Sequence, residues 1–523
     1  MGRAVIVGGG LGGLGTGVHL LRQGWNVTLH ERNPIPGGRM HRISEEGYQI
    51  DTGPTLLMMP DVIERLFTDC GRRMEDYLKI RRLDPSYEVR FADGSRLPMG
   101  RPEDAARHFE AFSAEDARRL PELLEDMRRR YKLARHKFIE RPFNTLGDLL
   151  HPTSLTGFAQ AMPINSVWNY ISGYVRDERL RQALTFQTLY LGTSPYQCPS
   201  MYGFLPLIEM EFGVWFPEGG MYAVAQALTR LFQELGGHIE CGSDVREIQV
   251  NGGRADGIVL GDGRVEHADV VVSNCDVQTT YTRLLGQQHR RVNTDSRVAA
   301  KQSGCSGYLL YLGVKRVPDD WGHHTVALPD DYAGTLDDMF RQGRLPQKPA
   351  VYACVPSRTD PTLAPEGRHV LYVLAPVPHL NPNVDWSTEA PVFRERCLDA
   401  LDTAGWDGIR DDIVFERSWN PETFQEKFGL FRGSAFGLAC SFMQSAYFRP
   451  HNRSEDIPGL YLVGASTHPG GGVPIVLTSA RLVADTVVAD AAVRKRRRGW
   501  TEPHSAPQTA AENGQSVHGG VGG

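Results

Sequence analysis

The first thirty residues alternate between short apolar runs and glycine-rich or polar stretches. Residues 3–7 are a β-branched run, typical of a buried parallel strand. Leu14, Val18 and Leu21 have the spacing of one helix face, and residues 25–30 have the pattern of a second strand. The amino terminus is therefore predicted to be a β-α-β unit.

A glycine motif joins the first strand to the helix. Gly8, Gly10 and Gly13 form the pattern G-x-G-x-x-G. In this setting the first glycine allows a tight turn, the second lets backbone approach a pyrophosphate, and the third lets the helix pack on the strand. Glu31 ends the second strand, 18 residues after Gly13, where a carboxylate can accept ribose hydroxyls. The motif predicts a dinucleotide, and the acid favours FAD or NAD over NADP.

A second loop distinguishes FAD from NAD. Residues 33–39 form a turn that ends in Gly38 and Arg39, and the segment Gly53-Pro54-Thr55 follows soon after it. A nicotinamide dehydrogenase has no need of this loop. Here the sequence resembles the FAD superfamily of amine oxidases and carotenoid desaturases. The resemblance implies that Arg39 is a phosphate partner, the other interpretation being a surface cation, and that the second segment runs close to the isoalloxazine ring.

A further glycine loop lies near the carboxy terminus. It follows a short buried strand, opens with Gly464 and Ala465, and ends with Gly472 and Val473 before an apolar helix predicted over 475–491. Such a loop and helix start direct backbone N–H groups toward an atom that can carry negative charge. In the superfamily that atom belongs to the pyrimidine edge of the flavin.

The resemblance thus implies a set of FAD contacts and one catalytic candidate. The predicted contacts are Gly8, Gly10, Gly13, Glu31, Arg32, Gly38, Arg39, Gly53, Pro54, Thr55, Val245, Gly464, Ala465, Gly472 and Val473. Val245 would touch the adenine region through its backbone, or would belong only to the core. His468 could take up a proton near neutral pH, or would only support the glycine loop.

The periodicity also predicts the domain organisation. The expected fold is α/β, with a Rossmann-type (glutathione-reductase-like) FAD-binding domain assembled from residues 1–100, 215–300 and 440–492. An inserted α+β substrate domain is predicted from residues 101–214, which are mostly helical, and 301–439, which alternate like an antiparallel sheet. Residues 493–523, poor in apolar periodicity, are predicted to be a disordered tail.

Composition narrows the possible partners. The 523 residues carry a net charge of −5, which gives no broad positive field for nucleic acid. The eight cysteines lie far apart in the sequence, so neither a metal site nor a disulfide framework is expected. We find no secretory signal and no apolar run long enough to span a membrane, which predicts a cytoplasmic protein.

One helix pattern leaves membrane association open. Residues 122–141 place apolar side chains on one face and arginines and lysines largely on the other. A basic amphipathic helix can lie on an anionic bilayer, but the same pattern is typical of an ordinary solvated helix.

Three further segments resemble the bacterial-type phytoene desaturase (carotenoid desaturase) family. They are residues 177–195, the run 428–437 followed by Tyr447-Phe448-Arg449-Pro450, and the loop 467–470. The resemblance implies an FAD-dependent oxidoreductase that takes hydride from a hydrophobic polyene onto flavin N5 while a proton leaves the neighbouring carbon. Aromatic residues are candidates for lining a polyene tunnel, among them Trp168, Tyr190, Tyr196 and Trp215.

Two alternatives stay open. The segment after Gly472 lacks the small glycine-containing turn expected of carotenoid desaturases, which leaves room for tailoring or reductive cyclisation of a polyene tetramate macrolactam. The same fold also serves prenyl-lipid escort proteins that do no redox chemistry. The substrate, the direction of electron transfer and the oligomeric state are not determined by the sequence.

Overall fold

The computed structural model describes residues 2–152, 154, 156–157 and 165–501. Its strands are β1 Arg3–Val7, β2 Asn26–Glu31, β3 Arg42–Glu45, β4 Tyr48–Asp51, β5 Ile80–Arg82, β6 Tyr87–Phe91, β7 Arg96–Met99, β8 Trp215–Pro217, β9 His238–Cys241, β10 Val245–Asn251, β11 Arg254–Leu260, β12 Val265–His267, β13 Val270–Ser273, β14 Ser306–Val314, β15 His324–Leu328, β16 Val351–Cys354, β17 His369–Val377, β18 Ile413–Trp419 and β19 Leu460–Leu462.

The α-helices connect and cover these strands. They are α1 Leu11–Arg22, α2 Pro60–Thr68, α3 Pro102–Glu110, α4 Ala114–Ala134, α5 Leu146–Leu150, α6 Val167–Ser172, α7 Glu178–Ala183, α8 Leu205–Phe212, α9 Tyr222–Glu234, α10 Val277–Thr279, α11 Asp295–Ala299, α12 Tyr332–Asp337, α13 Trp386–Thr403, α14 Ile409–Asp412, α15 Pro421–Phe428 and α16 Val473–Thr501.

Five parallel strands form the first sheet, in the order β19-β13-β1-β2-β9. Strands β1 and β13 are β-branched and almost wholly buried, as the centre of a parallel sheet requires. Helix α1 packs closely on the sheet and on α9, since a Cβ atom at Gly17 would lie 2.2 Å from the Phe232 ring. The carboxyl ends of β1, β13 and β19 share one edge, so the loops that follow them meet there.

The second sheet has seven strands in the order β18-β14-β17-β16-β15-β6-β7. Strands β14, β16, β17 and β18 pair antiparallel, as predicted for residues between 301 and 439. The predicted boundary at residue 100 needs a correction, because the hairpin β6-β7 joins this sheet through a parallel pairing of Val89 with Val326. The alternating pattern of the hairpin predicts strands but does not reveal this distant partner.

The helical part of the structure, formed by the described residues of 101–214, covers one face of the second sheet. Its predicted amphipathic helix begins as α4 and continues into a π-helical turn at Arg135–Ile139, with the apolar side chains buried. Much of the basic face is paired with acids: Arg130 lies 2.7 Å from Asp126 and Arg135 lies 2.8 Å from Asp61. Membrane contact by this face stays a prediction.

The last helix, α16, is longer than predicted. It continues to Thr501, so the predicted tail of 493–523 begins inside this helix. The rest of that tail lies outside the described residues. In the part of the chain that the structure describes, helices long enough to cross a membrane are not apolar enough to do so.

Candidate functional site

A cavity of about 760 Å³ lies between the two sheets and the helical part. One end is lined by the loops at the carboxyl edge of the parallel sheet, including Gly8, Glu31 and Gly464. The other end is lined mainly by apolar side chains from the helices and the second sheet, among them Leu189, Ile208, Leu309, Val326, Leu328 and Leu374. The cavity therefore joins a polar, glycine-rich end to an apolar end.

The amino-terminal turn has the shape that an approaching phosphate needs. Gly8 has a φ of +97°, which glycine adopts readily. A Cβ atom at Gly10 would lie 2.7 Å from Asn274 Nδ2, so only glycine leaves the backbone accessible. No side chain of the described residues caps the N-terminus of α1. Its first N–H groups and the positive end of its dipole are thus available to an anion.

Glu31 is buried beside this turn, at 4% exposure. Its Oε2 atom accepts a hydrogen bond from Gly9 N at 2.7 Å, and its Oε1 atom accepts from the backbone N and the side-chain Nδ2 of Asn33, both at 2.8 Å. These three bonds leave acceptor capacity on the carboxylate, which can use about four lone pairs. Glu31 lines the cavity and is placed to accept a further donor from a ligand.

Asn274 connects the amino-terminal turn to the carboxy-terminal loop. Its Nδ2 atom donates to the Gly8 carbonyl at 3.2 Å, and its Oδ1 atom would lie 3.1 Å from a Cβ atom at Gly464. Two loops more than four hundred residues apart therefore meet at one side chain. Sequence reasoning missed Asn274, although its place just after β13, next to the turn that follows β1, is the signal that identifies it.

The two predicted arginines have different surroundings. Arg39 donates from Nη2 to Asp276 Oδ1 at 2.7 Å, while its buried Nε atom has no partner among the described residues. Arg32 lines the cavity but donates from Nη2 to the Glu426 carbonyl at 2.6 Å. Arg39 thus keeps an unused donor in the cavity wall, which suits a pyrophosphate.

A buried arginine holds the carboxy-terminal loop. Arg449, 2% exposed, donates to the carbonyls of Ala465 at 2.6 Å, Thr467 at 3.0 Å and Gln444 at 3.2 Å. The guanidinium fork matches this divergent set of acceptors. The loop that carries Gly464 and Gly472 is therefore held by a side chain outside it.

His468 is fully buried within that loop. Its Nε2 atom lies 2.8 Å from the Arg141 carbonyl, and its ring packs edge-on against Phe143. Burial lowers the pKa of His468 to about 4. The imidazole is therefore neutral at physiological pH and donates from Nε2 to that carbonyl. A role for His468 in accepting a proton stays a prediction.

Tyrosines of the second sheet form hydrogen bonds with the segment 52–55, which contains Gly53, Pro54 and Thr55. Tyr311 and Tyr372 donate to the carbonyls of Thr52 and Gly53 at 2.9 and 3.1 Å. The hydroxyls of Tyr352 and Thr55 lie 2.7 Å apart. These tyrosines fix the path of the segment along the cavity.

Tyr352 also connects this wall to a group of buried histidines. Its hydroxyl lies 2.7 Å from His324 Nδ1, and the potential ligand atoms of His323, His324 and Cys354 lie within 4.8 Å of one another. The sequence does not predict this group, because the cysteine comes from the neighbouring strand.

The structure brings every predicted site residue except Gly13 to this cavity. Gly13 lies against the turn itself, where a Cβ atom would be 2.3 Å from the Gly8 carbonyl oxygen. Of the aromatic tunnel candidates only Tyr190 lines the cavity. Trp168 and Tyr196 pack on each other elsewhere, with ring centroids 4.8 Å apart.

These features together suit FAD. The uncapped helix, the close backbone approach at Gly10, the buried acid and the unused Arg39 donor match its dinucleotide part, and the long apolar end leaves space for a hydrophobic molecule beyond it. The fold and site thus define a flavin-dependent oxidoreductase.

Comparison with known proteins identifies the family. The sequence model of one protein family, the flavin containing amine oxidoreductases, matches residues 11–488. The chain is 41% identical over 488 residues to a zeta-carotene-forming phytoene desaturase of Myxococcus xanthus, covering 93% of this chain and 94% of that protein. It is 37% identical over 522 residues to a neurosporene-forming phytoene desaturase of Cereibacter sphaeroides, covering 98% of each.

A solved structure agrees at the level of the fold. An oxidoreductase of Methanosarcina mazei superposes with a TM-score of 0.65 at 21% identity, over 93% of this chain and 100% of that chain. The protein therefore belongs to the flavin-containing amine oxidoreductase family and, within it, to the phytoene desaturase relatives predicted from the motifs. It is an FAD-dependent oxidoreductase.

Proposed function

We propose that this protein is a carotenoid desaturase, which introduces carbon–carbon double bonds into a phytoene-type polyene. The observation that carries the proposal is the continuity of one cavity from the glycine turn of β1 to an apolar end lined by leucine, isoleucine and valine. The phytoene desaturases of M. xanthus and C. sphaeroides, which align over nearly the whole chain, support the same substrate class.

FAD would be held by the residues that line the polar end, with Glu31 toward the ribose and Arg39 toward the pyrophosphate. When bound, FAD supplies the capacity to accept a hydride. The chain's own contribution is to position the polyene and to exclude water, through aliphatic walls such as Leu309 and Val326. A water-poor cavity suits a hydrocarbon, which offers no polar group for recognition.

The experiment is anaerobic mixing of the FAD-loaded protein with phytoene in liposomes. We expect bleaching of the oxidised flavin band together with new polyene absorbance at longer wavelength. A protein that leaves phytoene unchanged but converts a polyene tetramate with NADPH would instead be the macrolactam-tailoring enzyme.

The flavin spectrum of the purified protein distinguishes a desaturase from a prenyl-lipid escort protein. An enzyme of this family should retain FAD after reconstitution and gel filtration, whereas a prenyl-lipid escort protein of the same fold need not. Absence of flavin bands after reconstitution would overturn the desaturase proposal.

A further inference from the structure

A buried carboxyl group lies behind the helical wall of the cavity, outside the residues that FAD needs. Glu209 on α8 is 2% exposed. Its Oε2 atom accepts hydrogen bonds from Tyr87 Oη at 2.7 Å and from Gln187 Nε2 at 3.2 Å. Its Oε1 atom has no hydrogen-bond partner in the described part of the chain. A buried carboxyl oxygen without a donor is costly, so its retention calls for a functional reason.

Tyr190 links this carboxyl to the cavity. The Tyr190 side chain lines the cavity, in an edge-on contact with Phe186. Burial and, after it, the nearby Glu209 raise the pKa of the Tyr190 phenol well above its ordinary value. Gln187, which donates to Glu209 Oε2 at 3.2 Å, lies three residues before Tyr190 in the 3-10 helix Phe186–Leu191, where residues three apart share one face. Tyr190 therefore lies on the helix face that meets Glu209, with its phenol on the cavity side.

The same phenol shares the cavity with the cofactor end. Tyr190, Tyr352 and Thr55 all line it, and the Tyr352 hydroxyl lies 2.7 Å from that of Thr55. Thr55 belongs to the segment predicted to run beside the isoalloxazine ring. Tyr190 is therefore on the part of the wall where the reacting carbons of a polyene would lie.

We propose that Tyr190 and Glu209 form the route by which the substrate proton leaves the cavity. This inference rests on the proposed desaturase function, in which one carbon loses a hydride to FAD and its neighbour loses a proton. The C–H bond of the neighbour breaks, and its electron pair becomes the second bond of the new C=C. The proton joins Tyr190 Oη while the hydroxyl proton of Tyr190 moves to Glu209 Oε1, so that Tyr190 ends neutral and Glu209 ends protonated.

The surroundings of Glu209 suit this role. Burial raises the pKa of Glu209 to about 7, while the hydrogen bonds from Tyr87 and Gln187 act against that rise. The titratable groups that face Glu209 are Tyr87 from β6 and Tyr190 from the 3-10 helix Phe186–Leu191. A proton acceptor is most effective when its pKa lies near the working pH.

The test compares Glu209→Gln and Tyr190→Phe with two matched controls. Glu211→Gln makes the same change two residues along α8, at a side chain paired with Arg128 near the surface. Tyr332→Phe removes a buried hydroxyl that has no hydrogen-bond partner among the described residues, in the same apolar cluster but off the cavity. We measure single-turnover reduction of the flavin by phytoene between pH 5.5 and 8.5, with substrate deuterated at the proton-losing or at the hydride-losing carbon.

We expect Glu209→Gln to lower the rate about 100-fold or more, with KM and FAD content unchanged. The wild-type rate should rise as pH passes about 7, and this rise should be absent in Glu209→Gln. The isotope effect at the proton-losing carbon should increase in both variants. If both variants behave like the two controls while wild type reduces its flavin, the proposal is overturned and the desaturase function stands.

A second measurement does not depend on turnover. The infrared C=O band of protonated Glu209, absent in Glu209→Gln and present in Glu211→Gln, should lose intensity as pH rises through about 7. Tyr190→Phe should shift its frequency. A band that Tyr190→Phe leaves unmoved would overturn the proposed contact, whichever substrate the enzyme uses.

Discussion

The Glu31 carboxylate accepts a hydrogen bond from the Gly9 N–H at 2.7 Å, so the ribose acid and the phosphate turn are directly joined. The acid ends β2 and the turn follows β1, and the two strands pair in parallel at the centre of the sheet. A side chain that holds the turn in place can therefore also present its remaining lone pair to a ligand.

Glu31→Gln is expected to weaken FAD binding by about 1.5–3 kcal/mol, because a charged acceptor is lost. That is roughly a 10- to 100-fold rise in the dissociation constant, measurable by titrating the apoprotein with FAD and following flavin fluorescence. Glu45→Gln, at an exposed residue that pairs with Arg417, is the control and should bind FAD like wild type. Equal affinity in all three proteins would mean that Glu31 only supports the turn.

Arg39→Gln should reduce FAD affinity roughly 10- to 100-fold, since a charged donor to phosphate is worth about 1.5–3 kcal/mol. Riboflavin carries no phosphate, so its binding should change little. Calorimetry with both ligands checks this. A similar loss for riboflavin would show that Arg39 acts on the shape of the cavity through Asp276 and not on the pyrophosphate.

Arg449→Lys is expected to destabilise the carboxy-terminal loop, because one ammonium group cannot reach carbonyls that diverge from a guanidinium. Each buried carbonyl left without a donor costs about 1–3 kcal/mol. FAD content after purification and the thermal midpoint should both fall, whereas Arg417→Lys on the surface should change neither. Retained FAD and an unchanged midpoint would contradict the role of Arg449 in holding Ala465 and Thr467.

Stability should fall as pH is lowered from about 6.5 to 4.5. Burial lowers the pKa of His19 and His468 to about 4, that of His323 to about 3, and that of His324 well below its usual value. The folded state therefore binds fewer protons than the unfolded state in this range, and acid favours unfolding.

Two buried acids act in the opposite direction. Burial raises the pKa of Asp51 to about 6 and that of Glu209 to about 7. Because each acid has a pKa near 4 in the unfolded chain, the folded state binds more protons at these two groups as pH falls toward 4, which favours folding. Because four histidines favour unfolding in acid and only two acids oppose them, we expect the net stability to fall. We expect guanidinium denaturation to give a lower midpoint at pH 5.5 than at pH 7.5, and a smaller difference in His468→Gln. A midpoint that does not fall would contradict neutral, buried histidines.

The FAD-binding unit could be predicted from sequence because its signals are local. Gly8, Gly10 and Glu31 lie within one strand-helix-strand stretch, and chain connectivity alone brings a turn, a helix start and an acid to one edge of two paired strands. The antiparallel strands between 301 and 439 were likewise recognisable from alternation, which depends only on neighbouring residues.

Tertiary structure decided which distant groups meet. Asn274 joins Gly8 to Gly464, Asp276 holds Arg39, and the hairpin of β6 and β7 pairs with β15 more than two hundred residues away. Burial raises the pKa of Glu209 only because the packed chain excludes water from it, and its partners Tyr87 and Gln187, whose hydrogen bonds oppose that rise, come from other segments. Burial and long-range pairing depend on the packing of the whole chain, and no local pattern encodes them.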